Sequence, residues 1–126
     1  MSKRVLIADD SVLIRRMIAE VLTQAGYEVV GEATNGAEAV AKYRELNPDV
    51  VTLDIVMPGT DGLYALDGIL ALNPNAKVVV VSALNQTKLI SDAIRKGAQD
   101  FIAKPFLPEQ LLDTVSSCLC ESSVPA

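Results

Sequence analysis

Histidine and tryptophan are absent from this 126-residue chain. Without histidine there is no His-based catalytic triad, no His general base and no His metal ligand. Cysteine is scarce. Cys118 and Cys120 stand one residue apart, which makes neither a CxxC redox pair nor a disulfide framework. Positive charge is in deficit, with 11 Lys and Arg against 16 Asp and Glu and a net charge of −5. Scattered cations on an acidic chain do not make the clustered phosphate contacts of a nucleic-acid binder. Long hydrophobic runs are missing too. The apolar run Val78–Val81 is as long as any, far short of the roughly 20 residues of a membrane span. Met1-Ser2-Lys3-Arg4 leads into a short apolar stretch that meets Asp9, too short and too soon acidic for a signal peptide. These absences predict a cytoplasmic protein that binds neither membrane nor nucleic acid.

What is present is a core. Half the residues are hydrophobic, and the length suits one domain. Val5–Ala8, Val50–Leu53 and Val78–Val81 are β-branched-rich and nearly continuous, as strands are when a parallel sheet buries both their faces. Glu28–Ala33 is more mixed and fits an edge strand, and Phe101–Ala103 is a short fifth. Between them lie helix-period segments. Leu13, Met17, Val21 and Leu22 mark the first, which Gly26 ends. Asn35 with Glu38 resembles a capping box for the second, and Asp61 can cap the third. The fourth runs from about Gln86 to Lys96 before Gly97, and Pro108 opens the fifth. The turns Leu46-Asn47-Pro48-Asp49 and Leu72-Asn73-Pro74-Asn75 echo each other, each with Asn where a left-handed residue suits. Strict alternation predicts an α/β fold: a doubly wound, five-stranded parallel sheet of order 2-1-3-4-5, flavodoxin-like, with five helices. The domain spans residues 1–121, and residues 122–126 fray.

Ligand sites in such sheets lie beyond the carboxyl ends of the strands. There the first strand places Asp9-Asp10, the third Asp54, the fourth Ser82 and the fifth Lys104, while the edge strand contributes nothing. Each residue has a plain reading. Asp10 and Ser11 can cap a helix, Asp54 can be a loop carboxylate, Ser82 a satisfied strand-end hydroxyl and Lys104 a solvated cation. Thr52 and Tyr43 read as packing residues, and the two cysteines as helix residues without chemistry. Convergence changes the balance. Three carboxylates in one crevice repel unless a cation joins them, and all-oxygen ligation suits Mg²⁺. Their charge of −3, with +1 from Lys104, is cancelled by Mg²⁺. Such a site can accept a phosphoryl group, with a carboxylate as nucleophile and Ser82 as donor.

Ile7-Ala8-Asp9-Asp10-Ser11, Leu53-Asp54-Ile55-Val56-Met57-Pro58 with Asp61-Gly62, Ser82-Ala83 and Phe101-Ile102-Ala103-Lys104-Pro105-Phe106 together resemble a response-regulator receiver domain of the stand-alone, CheY-like chemotaxis kind. The resemblance runs from about Lys3 to about Leu119. It implies that Asp54 is the phosphoacceptor for a histidine kinase of the chemotaxis type, whose phosphohistidine supplies the residue missing here. It implies Mg²⁺ as cofactor, ligated by Asp10, Asp54 and the Val56 backbone carbonyl, with Asp9 acting mainly through water. Lys104 and Ser82 would contact the phosphoryl oxygens, Phe101 would turn inward as a switch, and the Lys104–Pro105 bond would be cis. It further implies a monomer whose output is a flagellar-motor switch protein, with a phosphatase as a further partner. No turnover enzyme is expected beyond self-phosphorylation and self-dephosphorylation.

Rivals are weaker. An aspartyl-nucleophile phosphatase of the haloacid dehalogenase kind needs an acid two residues after the nucleophile, where Val56 stands. A flavin carrier needs a hydroxyl- and glycine-rich loop where Asp9-Asp10-Ser11 stands, and no GxxxxGK[ST] occurs. A receiver from a methylesterase or a transcription factor is the nearer alternative. With the sequence ending at Ala126, no attached effector domain is expected.

Overall fold

The computed structural model describes residues 3–57, 59 and 62–120. Strands and helices alternate: β1 (Arg4–Ala8), α1 (Val12–Gln24), β2 (Glu28–Ala33), α2 (Gly36–Leu46), β3 (Val50–Asp54), α3 (Gly62–Leu72), β4 (Val78–Ala83), α4 (Thr87–Lys96), β5 (Asp100–Lys104) and α5 (Pro108–Cys120). The five strands are parallel, in the predicted order β2-β1-β3-β4-β5.

Continuous apolar runs form the central strands because both faces are covered. Leu6, Val51, Leu53, Val78 and Val80 pack under α2, α3 and α4, against Tyr43, Leu66, Ile69 and Ile90. Val5, Ile7, Val50, Val79 and Val81 face α1 and α5, against Ile18, Leu22, Leu111 and Val115. Each such side chain contributes roughly 1.5–3 kcal/mol on burial, so the sheet is a rigid floor for its carboxyl edge. No helix among the described residues is long and apolar enough to cross a membrane.

Caps follow the sequence closely. Ser11 Oγ accepts from the Ile14 N–H at 3.3 Å and Asn35 Oδ1 from the Glu38 N–H at 2.8 Å. Glu38 in turn accepts from the Thr34 N–H at 2.6 Å. Gly26 (φ 97°) and Gly97 (φ 128°) follow the ends of α1 and α4, in backbone that disfavours a Cβ. A single 3₁₀ turn, Leu84–Gln86, precedes α4, which starts one residue later than predicted. The Asp61 cap and the 122–126 tail lie outside the described residues.

The two Asn-Pro turns differ, against expectation. Asn47 is left-handed, at φ 46° and ψ 60°, and is the sole non-glycine residue with positive φ among those described. Asn73 is not left-handed. Its Oδ1 accepts from the Asn75 N–H at 3.0 Å, and its Nδ2 donates to the buried Tyr43 hydroxyl at 3.1 Å. That side-chain turn replaces a left-handed one. Asn47→Ala should therefore cost about 1 kcal/mol and Asn47→Gly only a few tenths, read from urea midpoints. Equal losses would move the cause from backbone to side chain.

Candidate functional site

Four strand ends converge as the order requires. Asp9 and Asp10 follow β1, Asp54 ends β3, Ser82 is the penultimate residue of β4 and Lys104 ends β5. Asp9, Asp54 and Ser82 are buried and Asp10 is exposed. One carboxylate oxygen from each of Asp9, Asp10 and Asp54 lies within 4.8 Å of the others. Lys104 Nζ donates to Asp9 Oδ2 at 3.0 Å and to Asp54 Oδ2 at 3.3 Å. The Val56 N–H donates to Asp54 Oδ1 at 3.1 Å.

These contacts set the protonation chemistry. Burial, then the neighbouring Asp9 charge, pushes Asp54 up from 3.8 to about 6, while Lys104 and the Val56 amide pull the other way. Burial works against the Lys104 ammonium, but the hydrogen bonds and charges of Asp9 and Asp54 outweigh it and raise its pKa above the ordinary lysine value. The cluster thus has one cation for three carboxylates.

Magnesium fits this donor set. The carboxylates of Asp9, Asp10 and Asp54 offer oxygens within 4.8 Å of one another, close enough to share one small hard cation. All donors are oxygens, and the exposed Asp10 leaves the site open to water-borne ligands.

Ser82 has a partner that sequence patterning did not reveal. Its Oγ donates to Gln86 Oε1, tying the end of β4 to the 3₁₀ turn. Phe101 is exposed on β5 and, with Leu84, Pro105, Gln110 and Asp113, lines a groove of about 560 Å³ beside α5. The Lys104–Pro105 bond is cis, as the resemblance implied. Thr52 and Tyr43 are buried packing residues. Cys118 is buried in α5, and burial raises its thiol pKa, so it offers no reactive thiolate. The Cys120 side chain lies outside the described residues.

Known proteins agree with this geometry. The family described as response regulator receiver domain matches residues 5–116. The chemotaxis protein CheY of Thermotoga maritima is 51% identical over 116 residues, 92% of this chain and 97% of that protein. Among solved structures, NtrX of Brucella abortus matches with a TM-score of 0.91 at 35% identity, covering 98% of this chain and 28% of the longer NtrX chain. A CheX–CheY–BeF3–Mg²⁺ complex from Borrelia burgdorferi matches with a TM-score of 0.83 at 37% identity, covering 98% of this chain and 90% of that one. Identity at this level along nearly the whole of a chemotaxis regulator favours the chemotaxis reading over methylesterase and transcription-factor receivers, and the protein belongs to the response regulator receiver domain family.

Proposed function

We propose that this chemotaxis receiver takes a phosphoryl group onto Asp54 from a phosphohistidine of a histidine kinase, and that the modification switches its partner binding. The observation that carries the reading is the Lys104 ammonium bridging Asp9 and Asp54, with Asp10 completing a three-carboxylate cluster. An Asp54 carboxylate oxygen attacks phosphorus. The new O–P bond forms as the N–P bond to the imidazole breaks, and the freed ring nitrogen keeps its electron pair and is later protonated from solvent. The carboxylates of Asp9, Asp10 and Asp54 and the Val56 carbonyl would hold Mg²⁺, which supplies neutralisation of the phosphoryl charge. Lys104 leaves Asp54 to pair with a phosphoryl oxygen.

The switch follows from the Ser82–Gln86 bond. Ser82 exchanges Gln86 for a phosphoryl oxygen, which releases the Leu84–Gln86 turn from β4. Phe101 then turns inward from its exposed position and reshapes the groove beside α5. Output is binding, to a flagellar-motor switch protein, with a phosphatase as a second partner. The Borrelia burgdorferi complex, in which CheY is paired with CheX, supports output by protein binding. The protein acts as a cytoplasmic monomer and catalyses only its own phosphorylation and dephosphorylation.

Incubation with acetyl phosphate and Mg²⁺ should add one phosphoryl group, read by intact mass, and Asp54→Asn should abolish it. An undiminished adduct in the variant would overturn the assignment of Asp54.

A further inference from the structure

We infer that Arg15 is a positioning residue for the carboxylates that follow β1, and that Glu32 on the edge strand holds Arg15 in place. The inference rests on the metal-binding reading of the Asp9, Asp10 and Asp54 cluster. The polar groups of Asp9 are all tied. Its N–H donates to the Ala33 carbonyl at 3.0 Å. Its Oδ1 accepts from the Ser11 N–H at 2.9 Å and its Oδ2 from Lys104 at 3.0 Å. Its carbonyl accepts from Arg15 Nη1 at 2.8 Å. That carbonyl belongs to the peptide joining Asp9 to Asp10. Its orientation sets the directions in which both carboxylates leave the backbone.

Arg15 lies on α1 with its side chain only 13% exposed, and its Nε donates to Glu32 Oε1 at 2.8 Å. One rigid guanidinium therefore spans from β2 to the carboxyl edge of β1. A lysine ammonium cannot present two donors in that fixed fork. Glu32 reaches this position through a bulge. Val5 pairs with Val29, but Leu6 pairs with Gly31 and Ile7 with Glu32. In an unbroken register Glu32 would pair with Ala8 and face α2 instead, because one residue of slip reverses every side chain. The bulge places it on the α1 side, where Arg15 is. Lys42 Nζ, from α2, donates to the Glu32 carbonyl at 2.6 Å and fixes the same strand end from the opposite layer. The edge strand, which offers no group to the crevice itself, thus orients the groups that do.

Groups that orient metal ligands typically change metal affinity 10–100-fold when removed. The test is calorimetric Mg²⁺ titration of the unphosphorylated full chain, with hydrogen exchange at the Ser11 amide as a second reading. Arg15→Ala should raise the Mg²⁺ dissociation constant about tenfold and speed Ser11 exchange more than that of β3 and β4 amides. Arg15→Lys should recover part of the loss. Glu32→Gln, which keeps an acceptor but not the charge, should cost about threefold. A wild-type dissociation constant and unchanged Ser11 exchange in Arg15→Ala would overturn the inference. Should that variant not fold, wild-type affinity in both Arg15→Lys and Glu32→Gln would overturn it equally. Failure of the underlying metal reading looks different: Asp10→Ala would then bind Mg²⁺ as wild type does.

Discussion

Gly62→Ala is expected to cost about 3 kcal/mol of folding stability, near the upper end for overpacking. A Cβ at this position would sit 2.3 Å from the Asp54 carbonyl oxygen, 2.4 Å from Ile55 Cα and 2.9 Å from the Ile55 carbonyl carbon. All three are backbone atoms, so no side-chain rotation relieves the contact. The Gly62 N–H also donates to the Ile55 carbonyl at 2.7 Å, which holds the start of α3 against the end of β3. Either α3 retreats or Asp54 moves, and in the second case the candidate site moves with it. Gly68 is the natural comparison. There a Cβ would meet Val40 Cγ2 at 2.7 Å, the end of a side chain. Alanine gains up to about 1 kcal/mol in a helix interior, which offsets the crowding, so Gly68→Ala should lie within about 1 kcal/mol of wild type. Urea midpoints with unchanged slopes decide it. Equal stability of the two variants would show that α3 can slide away from β3.

This glycine marks a boundary between what was legible in the sequence and what was not. Asp61-Gly62 belonged to the motif, yet nothing in the pattern said that Gly62 faces the backbone beneath Asp54. The sheet was legible because β1, β3 and β4 are buried on both faces and must read as continuous apolar runs. The site was legible because strand order alone places Asp9, Asp10, Asp54, Ser82 and Lys104 at neighbouring ends. Side-chain pairing was not. Asn73 shares its Asn-Pro context with Asn47, but its partner is Tyr43, thirty positions away in the chain. Ser82 reads as a satisfied strand-end hydroxyl, but its partner Gln86 is named only once the 3₁₀ turn is seen. Arg15 sits among the polar residues of α1, and patterning gives it no partner. Its link to Glu32 depends on a bulge that composition does not announce. Local patterning reports which face is apolar. It does not report which polar residues meet across elements, because that depends on register.

Lys104→Ala should show the second large effect, a loss of about 2–3 kcal/mol at pH 8 in the presence of chelator. Breaking a buried ion pair from one side typically costs 3–5 kcal/mol. The expected value is lower because the Lys104 side chain is 23% exposed and water screens part of the charge. Its pH dependence has a definite sign. Asp54 has a folded-state pKa of about 6 against an ordinary 3.8, so between those values the folded protein holds more protons than the unfolded chain. Stability therefore falls as pH rises through this window, and the penalty is complete above it. Lys104 is among the groups that pull this pKa down. Without it the window extends upward, so the variant's deficit should grow from pH 5 to pH 8. Asp54→Asn should behave oppositely. It removes the ionised carboxylate and should gain about 1–2 kcal/mol over wild type at pH 8, after discounting the shift for screening. Added Mg²⁺ should narrow that gap, since it stabilises the form that binds it. Urea midpoints at the two pH values, with chelator and with Mg²⁺, test all of this. A Lys104→Ala deficit of the same size at pH 5 and pH 8 would show that Lys104 acts through packing and not by balancing the charge of Asp9 and Asp54. A deficit that widens with pH and shrinks with Mg²⁺ would mean that the ammonium and the metal offset the same carboxylates.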